Sequence, residues 1–243
     1  MKGAWNERMG MCGRFVLSGT YRELAEHFDL SGDIEFAPSW NIAPSLRICS
    51  ITADRDGHRH IGRMQWGLIP SWAKEASIGH KLANARGETV AEKPSFRSAF
   101  RQRRCIIPAT GFFEWKSERG VKQPWYVSLK SGEPMAFAGL WESWHGVGRQ
   151  GESGGENKDE AVISCCIITI SANALMETIH DRMPVILDKS QWATWLSPQV
   201  HEGDKLLPLI RPHDAASMQA WPVTREVNRV GLRDDAGLVE RVD

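Results

Sequence analysis

Short apolar or alternating runs recur along the chain and predict β-strands. Each run is bounded by glycine, proline or charged residues, which is the usual setting of a strand. The predicted strands are "RICSIT" (47–52), "RMQWGLI" (63–69), "RCIIPA" (104–109), "GFFEWK" (111–116), "WYVSLK" (125–130), "MAFAGLWES" (135–143) and "VISCCIITI" (162–170). Strands are therefore expected to dominate the fold.

Helical periodicity is confined to a few short segments. In "TYRELAEHFDL" (20–30), Thr20 and Glu23 have the spacing of a capping box, and the apolar residues that follow fall on one helix face. Further short helices are predicted over 171–180, with Ser171 or Asn173 as the N-cap, over 188–196 and around 202–210.

Many strands with few, scattered helices are typical of an α+β fold. We expect a single domain with a curved or barrel-like, mainly antiparallel β-sheet and flanking short helices. The Gly-rich polar stretch at 146–160 predicts a flexible loop between two strands.

Composition narrows the function only slightly. The 243 residues contain 30 basic and 30 acidic side chains, so net charge predicts no partner, although a one-sided basic face remains compatible with the total. No apolar run approaches a membrane span and no secretory signal is evident, which favours a cytoplasmic protein.

The five cysteines give no metal or disulfide pattern. Their number is odd, two are adjacent, and no CxxC or CxxH pair predicts zinc, so we expect no metal and no cofactor. Four of them lie in apolar runs, where a free cysteine acts as a small hydrophobic side chain. These four are Cys49, Cys105, Cys165 and Cys166.

The remaining cysteine, Cys12 in "MCGRF" (11–15), follows a second candidate start at Met11. If processing exposes Cys12, one residue carries a thiol and an α-amine with ordinary pKa values of ~8.5 and ~7.7–8.0. Such an aminothiol captures an aldehyde first as an imine and then as a thiazolidine. Residues 1–10 are then an extension that is mis-assigned or removed, because a retained extension leaves Cys12 with an unreactive amide. The alternative is a buried strand cysteine.

Three further motifs contain polar side chains that could take part in catalysis or binding. In "LANARGET" (82–89), Asn84 and Arg86 point the same way, although a turn-stabilising Asn beside a solvated Arg also fits. Glu114 lies among aromatic residues, which predicts a raised pKa; the alternative is an exposed edge-strand Glu. His180 in "IHDRMPVIL" (179–187) precedes a proline-directed turn and can titrate near pH 7, although a helix C-cap explains it equally well.

Basic and aromatic side chains are interleaved near these motifs, as in grooves that bind single-stranded nucleic acid. Arg14, Trp72, Trp115 and Arg182 are examples. "FRSAFRQRRC" (96–105) adds four arginines, which a solvated helix face explains at least as well.

The ordered motifs together resemble the SRAP (SOS response-associated peptidase) family. The resemblance runs from Met11 to about residue 230 and indicates one SRAP-like domain over 11–243. The motifs are "MCGRF" (11–15), "WNIAPS" (40–45), "WGLIPSWA" (66–73), "NARGET" (84–89), "CIIPATGFFEWK" (105–116), "FAGLWE" (137–142) and "IHDRMPVIL" (179–187).

The resemblance implies an abasic-site sensor that binds single-stranded DNA or single-strand/duplex junctions. It implies a thiazolidine crosslink through Cys12, assisted by Asn84, Glu114 and His180, with lyase-type and possible autoproteolytic activity. The implied DNA-binding residues are Arg14, Asn41, Pro44, Trp72, Arg86, Trp115 and Arg182. A monomer is expected, since DNA would occupy the one cationic face.

Two other classes remain open from the sequence. An N-terminal-nucleophile amidotransferase also begins with an exposed cysteine and would hydrolyse glutamine. A non-covalent single-strand binder would give fully reversible, salt-sensitive complexes.

Overall fold

A computed structural model describes residues 13–32, 34, 36–146 and 161–242. Thirteen strands and four α-helices are linked by turns and short 3-10 segments in these ranges. The strands are β1 Arg14–Leu17, β2 Leu30–Ser31, β3 Ser39–Ile42, β4 Arg47–Ala53, β5 Arg59–Trp66, β6 Asn84–Arg86, β7 Arg104–Ala109, β8 Gly111–Glu118, β9 Val121–Leu129, β10 Met135–Trp144, β11 Val162–Ser171, β12 Arg182–Pro184 and β13 Met218–Pro222. The α-helices are α1 Tyr21–Phe28, α2 Arg97–Gln102, α3 Trp192–Leu196 and α4 Gly203–Leu206. None of the helices in the described ranges is long and apolar enough to cross a bilayer.

Five strands close into a barrel in the order β5-β4-β7-β10-β11. The closing pair, β11 with β5, is parallel and joins Ser164 to Gln65 and Cys165 to Trp66. Most other pairs are antiparallel, and β6 and β2 add parallel pairs at the edges. The expected α+β fold with a barrel-like, mainly antiparallel sheet is confirmed.

The barrel interior is filled by aromatic and aliphatic side chains. Phe15 packs edge-on against Trp66 and Phe137, with ring centroids 5.2 and 6.2 Å away. The Trp66 indole is fully buried and donates a 2.8 Å hydrogen bond to the Ala83 carbonyl, so its one polar atom is satisfied.

The four cysteines from apolar runs are all buried, as predicted. Burial raises the pKa of each thiol, that of Cys165 to about 12, so these side chains stay protonated and unreactive.

A second sheet, in the order β13-β9-β8-β1-β3, lies beside the barrel and contains the "GFFEWK" strand. Strand β8 is flanked on both sides, by β9 and by β1, and is therefore not an edge strand. Phe112 points into the main core, whereas Phe113 and Tyr126 belong to a smaller apolar cluster on the other face.

Some of the predicted helices and strands are confirmed and others are not. Helix α1 begins with the predicted capping box, and α3 and α4 lie where short helices were expected. The helix predicted over 171–180 is wrong. Asn173 accepts a hydrogen bond from the Met176 N–H, as expected of the predicted cap, but only a 3-10 turn, Met176–Thr178, fits before the chain enters β12. The strand predicted over 63–69 starts earlier and ends at Trp66.

The residue after that strand is Gly67, whose φ of +136° suits only glycine. A Cβ at Gly67 would lie 2.6 Å from the Gly79 carbonyl oxygen, so a side chain is excluded for two reasons. Residues 147–160, most of the predicted flexible loop, lie outside the described ranges, as do residues 1–12.

One arginine of "FRSAFRQRRC" is structural, which corrects its interpretation as part of a solvated face. Arg104 is 3% exposed and donates hydrogen bonds of 2.6–2.8 Å to four backbone carbonyls. Burial lowers its pKa to about 10, so the guanidinium remains charged at neutral pH. The four acceptors are the carbonyls of Phe100, Trp195, Ser197 and Val200, and they join α2 and α3 to the barrel.

Candidate functional site

Glu114 is a buried carboxyl group in the middle of a sheet. It is 3% exposed, which rules out the exposed edge-strand alternative. The pKa of its carboxyl is raised from 4.5 to about 8, mainly by burial and also by the charge of Asp181, while a hydrogen bond from the Trp115 backbone acts to lower it. Among the residues that the structure describes, no hydrogen-bond donor reaches Oε1 of Glu114. The carboxyl is therefore protonated at pH 7 and can give up a proton.

Strand β1 brings the start of the described chain to Glu114. The antiparallel register pairs Arg14 with Phe113, the residue before Glu114. Cys12 precedes Arg14 by two residues in the sequence and lies outside the described ranges.

His180 and Asp181 lie between the 3-10 turn at 176–178 and β12. Nδ1 of His180 is 3.1 Å from the Arg182 backbone nitrogen and 3.1 Å from a carboxylate oxygen of Asp181. If Nδ1 accepts the backbone N–H, the ring is neutral with its proton on Nε2; if Nδ1 carries the proton, it donates to Asp181. The imidazole is 20% exposed, so it can exchange protons with a bound molecule. Asp181 is close enough to Glu114 for its charge to raise the pKa of the Glu114 carboxyl.

Asn84 and Arg86 lie in β6, which pairs with β11 at the end of the barrel where β12 also pairs with β11. Strand β6 pairs parallel with β11, and Thr169 is the register partner of Arg86 on one edge and of Pro184 in β12 on the other. Along β6, Ala85 is buried while Asn84 is half-buried and Arg86 exposed, which matches the predicted alternation. Strands β6 and β12 thus flank the carboxyl end of β11.

Arg182 is engaged by a carboxylate in this structure. Its guanidinium forms a two-pronged pair with Glu88, with Nη2 2.9 Å from Oε2, and Nη2 also donates to the Thr169 carbonyl at 2.8 Å. The hydrogen bond from Arg182 is the main reason why the pKa of Glu88 is lowered, and the charge of Arg86 adds to it. Sequence reasoning missed Glu88, because its partner lies 94 residues away and no local pattern marks the pair.

Arg14 and Asn41 are tied to the carboxyl-terminal segment. The Arg14 guanidinium donates to the Val227 carbonyl at 2.8 Å and to Oδ1 of Asn41 at 3.3 Å. Asn41 is 5% exposed and donates to the same carbonyl at 3.3 Å. Burial lowers the pKa of Arg14, and the side chain stays charged. Trp115 is held in a similar way, since Nε1 donates to Asn228 at 2.8 Å.

The two remaining candidates lie in loops around β4–β6. Trp72 is 57% exposed, and its indole is 3.4 Å from the Pro94 carbonyl, so most of one ring surface is open to solvent. Pro44 is half-buried and precedes Ser45, whose φ is +74° and whose hydroxyl lies 3.1 Å from Nδ1 of His80. An exposed tryptophan is unusual and suits a stacking surface.

A cavity of about 490 Å³ lies elsewhere, between the β9–β10 turn and α3. Its lining includes His27, Glu133, Asp188, Lys189 and His213, and no candidate residue named above.

The chain is similar to known proteins over most of its length. A family model described as SOS response associated peptidase (SRAP) matches residues 11–230. "Abasic site processing protein YoqW" of Bacillus subtilis (strain 168) is 43% identical over 222 residues, covering 90% of this chain and 94% of its own length. "Abasic site processing protein YedK" of Escherichia coli (strain K12) is 31% identical over 229 residues, covering 90% and 95%.

The solved structures include a crystal structure of a protein from Bacteroides thetaiotaomicron with a TM-score of 0.81 and 26% identity, covering 95% of this chain and 100% of that one. The sequence motifs, the family match and the relatives over most of the length lead to one conclusion. The chain belongs to the SOS response-associated peptidase (SRAP) family.

Proposed function

We propose that this protein processes abasic sites in DNA by capturing them covalently on Cys12. Its relatives carry the name abasic site processing protein at 31–43% identity over nearly their whole length. The observation that carries the proposal is Glu114, a buried carboxyl held in its acid form beside the strand that Cys12 precedes. The DNA substrate is single-stranded or a single-strand/duplex junction, bound by one copy of the chain.

The capture reaction needs only the Cys12 amine and thiol and an aldehyde. The abasic deoxyribose opens from its cyclic hemiacetal to the aldehyde, and the Cys12 amine adds to the aldehyde carbon. The resulting carbinolamine loses water to give an imine. The thiol sulfur then adds to the imine carbon while the nitrogen takes a proton, which closes a thiazolidine with net loss of one water.

Glu114 supplies the acid for these steps. With a pKa of about 8, the carboxyl is protonated at pH 7 and can protonate the departing ring oxygen or the departing hydroxyl. We expect capture to slow above about pH 8, where the acid form is lost, and below the pKa of the Cys12 amine, ~7.7–8.0, where the amine is protonated. The rate should therefore have a bell-shaped pH dependence.

His180 and Asn84 assist as proton carrier and orienting group. His180 has a partly exposed ring and two alternative partners for Nδ1, which suits proton transfer during imine formation and reversal. Asn84, half-buried at the end of β6, is proposed to orient the sugar and the Cys12 amine. Lyase-type activity would start from the same imine: loss of a proton from the carbon beside the imine carbon would expel the 3′ phosphate by β-elimination, whereas addition of water to the imine would reverse the crosslink.

The groove around these groups binds DNA through cations and aromatic surfaces. Arg86 is exposed, and Arg182 would have to exchange Glu88 for a phosphate. Trp72 offers an open ring for a base. The proposed DNA-binding set also includes Arg14, Asn41, Pro44 and Trp115, of which Arg14, Asn41 and Trp115 fix the carboxyl-terminal segment in the free protein.

The proposal is tested with a single-stranded oligonucleotide that carries one abasic site. The protein should form a species that survives a denaturing gel, and Cys12→Ala should abolish it while retaining salt-sensitive binding. Complexes that dissociate fully under denaturing conditions would support a non-covalent binder instead. Glutamine hydrolysis that depends on Cys12 would support an amidotransferase.

The amine at Cys12 requires removal of residues 1–11. We propose that a start at Met11 with methionine removal, or autoproteolysis, produces it. A chain with Met1 retained should be inactive in capture.

A further inference from the structure

A cluster of two carboxylates and two imidazoles lies at the tip of the β4–β5 hairpin and has no part in the proposed DNA chemistry. The segment reads "DRDGHRH" (54–60). Ligand atoms of Asp54, Asp56 and His58 all lie within 4.8 Å of one another. Nε2 of His60 lies 3.3 Å from Oδ2 of Asp54, as does Nδ1 of His58.

These separations match the edge of a metal coordination tetrahedron. Zinc binds imidazole nitrogen and carboxylate oxygen at about 2.0–2.1 Å, and tetrahedral angles then put neighbouring ligand atoms about 3.3 Å apart. Both imidazole nitrogens already have that separation from the same carboxylate oxygen. Asp54, Asp56 and His58 could therefore take up an ion with little movement, and His60 would join from its position beside Asp54.

The hairpin holds these side chains in place. Oδ1 of Asp54 accepts 2.9 Å hydrogen bonds from the backbone N–H groups of Asp56 and His58, which orients the carboxylate and leaves Oδ2 facing the imidazoles. His60 is anchored in β5 opposite Thr52. His58 and His60 are two residues apart and lie on one face of the chain.

We propose that Asp54, Asp56, His58 and His60 form a binding site for a divalent transition metal, with Zn²⁺ as the fitting ion. Two imidazoles with carboxylates are a donor set that selects such ions over Mg²⁺ and Ca²⁺, which take oxygen ligands. The side chains of Asp54, His58 and His60 are 39–65% exposed, so the site is open to exchange with solvent. The segment contains no cysteine, so no cysteine pattern marks the site in the sequence.

The test is a titration of the metal-stripped full-length protein with Zn²⁺ by calorimetry. All variants carry Cys12→Ala, since an exposed aminothiol also binds zinc. The parent should bind one Zn²⁺ per chain. Loss of an outer-shell partner already costs roughly 10- to 100-fold in metal affinity, so His58→Gln and Asp54→Asn should each weaken binding by at least roughly tenfold. Asn at position 54 keeps an oxygen that can accept the two hydrogen bonds of the turn. A weaker affinity of this variant therefore reports loss of the carboxylate ligand and not loss of the turn.

The matched control is His201→Gln, which removes an exposed histidine outside the cluster and should leave the affinity unchanged. Titration with Co²⁺ should give the visible absorption of tetrahedral coordination in the parent and lose it in His58→Gln. A parent that binds no Zn²⁺, or equal affinities for the parent and His58→Gln, would overturn the proposal.

Discussion

Replacing Glu114 with Gln should make the protein more stable at neutral and alkaline pH. The folded protein holds the Glu114 proton up to a pKa of about 8, whereas the unfolded chain releases it at about the ordinary value of 4.5. Between these two pKa values, the free energy of unfolding falls by about 1.4 kcal/mol for each pH unit of increase. The contribution of Glu114 to stability is therefore fully present below pH 4.5 and is lost as the pH rises to 8.

The magnitude follows from the same two values. At pH 7 the loss is about 3 kcal/mol, and above pH 8 it reaches about 5 kcal/mol. Gln has the shape of the protonated acid and does not titrate, so Glu114→Gln removes this loss. The stability difference between the variant and the wild type should therefore grow by about 4 kcal/mol between pH 4.5 and pH 8.

The assay is urea denaturation followed by tryptophan fluorescence at pH 4.5, 6, 7 and 8, with both proteins in the same buffers. The matched control is Glu118→Gln, an exposed position on the same strand whose pKa is lowered by Lys116. The control difference should change by no more than about 0.4 kcal/mol over this range, because Glu118 of the unfolded chain takes up a proton only at the lower limit, pH 4.5. Parallel profiles for Glu114→Gln and the wild type would refute a buried, protonated Glu114.

Four other changes test separate parts of the account. Glu114→Gln should also slow capture of abasic DNA without abolishing it, measured as the rate of crosslink formation at pH 7; an unchanged rate would remove its assigned role. Arg104→Met should lower the free energy of unfolding by roughly 3–5 kcal/mol in urea, since two buried and two partly buried carbonyls lose their donor; a loss below roughly 1 kcal/mol would contradict this. Glu88→Gln should free Arg182 for phosphate and steepen the dependence of log affinity on log salt by roughly 0.7 for single-stranded DNA, measured by anisotropy; an unaltered slope would mean that Arg182 binds no phosphate. Trp72→Ala should weaken single-strand binding by roughly 1–3 kcal/mol and leave the melting temperature unchanged, as expected for an exposed stacking surface.

The long strands of the barrel were predictable because their side chains leave a clear pattern. The apolar run at 162–170 is buried on both faces in β11 and reads as continuous apolar sequence. Short strands such as β1 and β3 have four residues each, too few to show a period, and β13 ends in a proline. The closing pair of β11 with β5 joins residues 99 apart, and no local pattern indicates such pairing.

The candidate site was predictable where the local environment determines chemistry. The aromatic neighbours of Glu114 predict burial and a raised pKa, and both are present. The partners of Arg14 and Arg182 were not predictable, because Val227 and Glu88 lie 213 and 94 residues away along the chain. The positive charge of an arginine predicts a phosphate ligand from the sequence. Only the fold determines whether a carboxylate is already paired with that arginine.

The central claim is covalent capture by the amine and thiol of Cys12. The most direct measurement is the intact mass of the protein expressed from its own start, before and after incubation with single-stranded DNA that carries one abasic site. We predict a chain that begins at Cys12 and an adduct whose mass equals protein plus oligonucleotide minus one water, with peptide mapping placing the DNA on Cys12. A processed chain that begins at Cys12 and forms no adduct, or an adduct on another residue, would contradict the account.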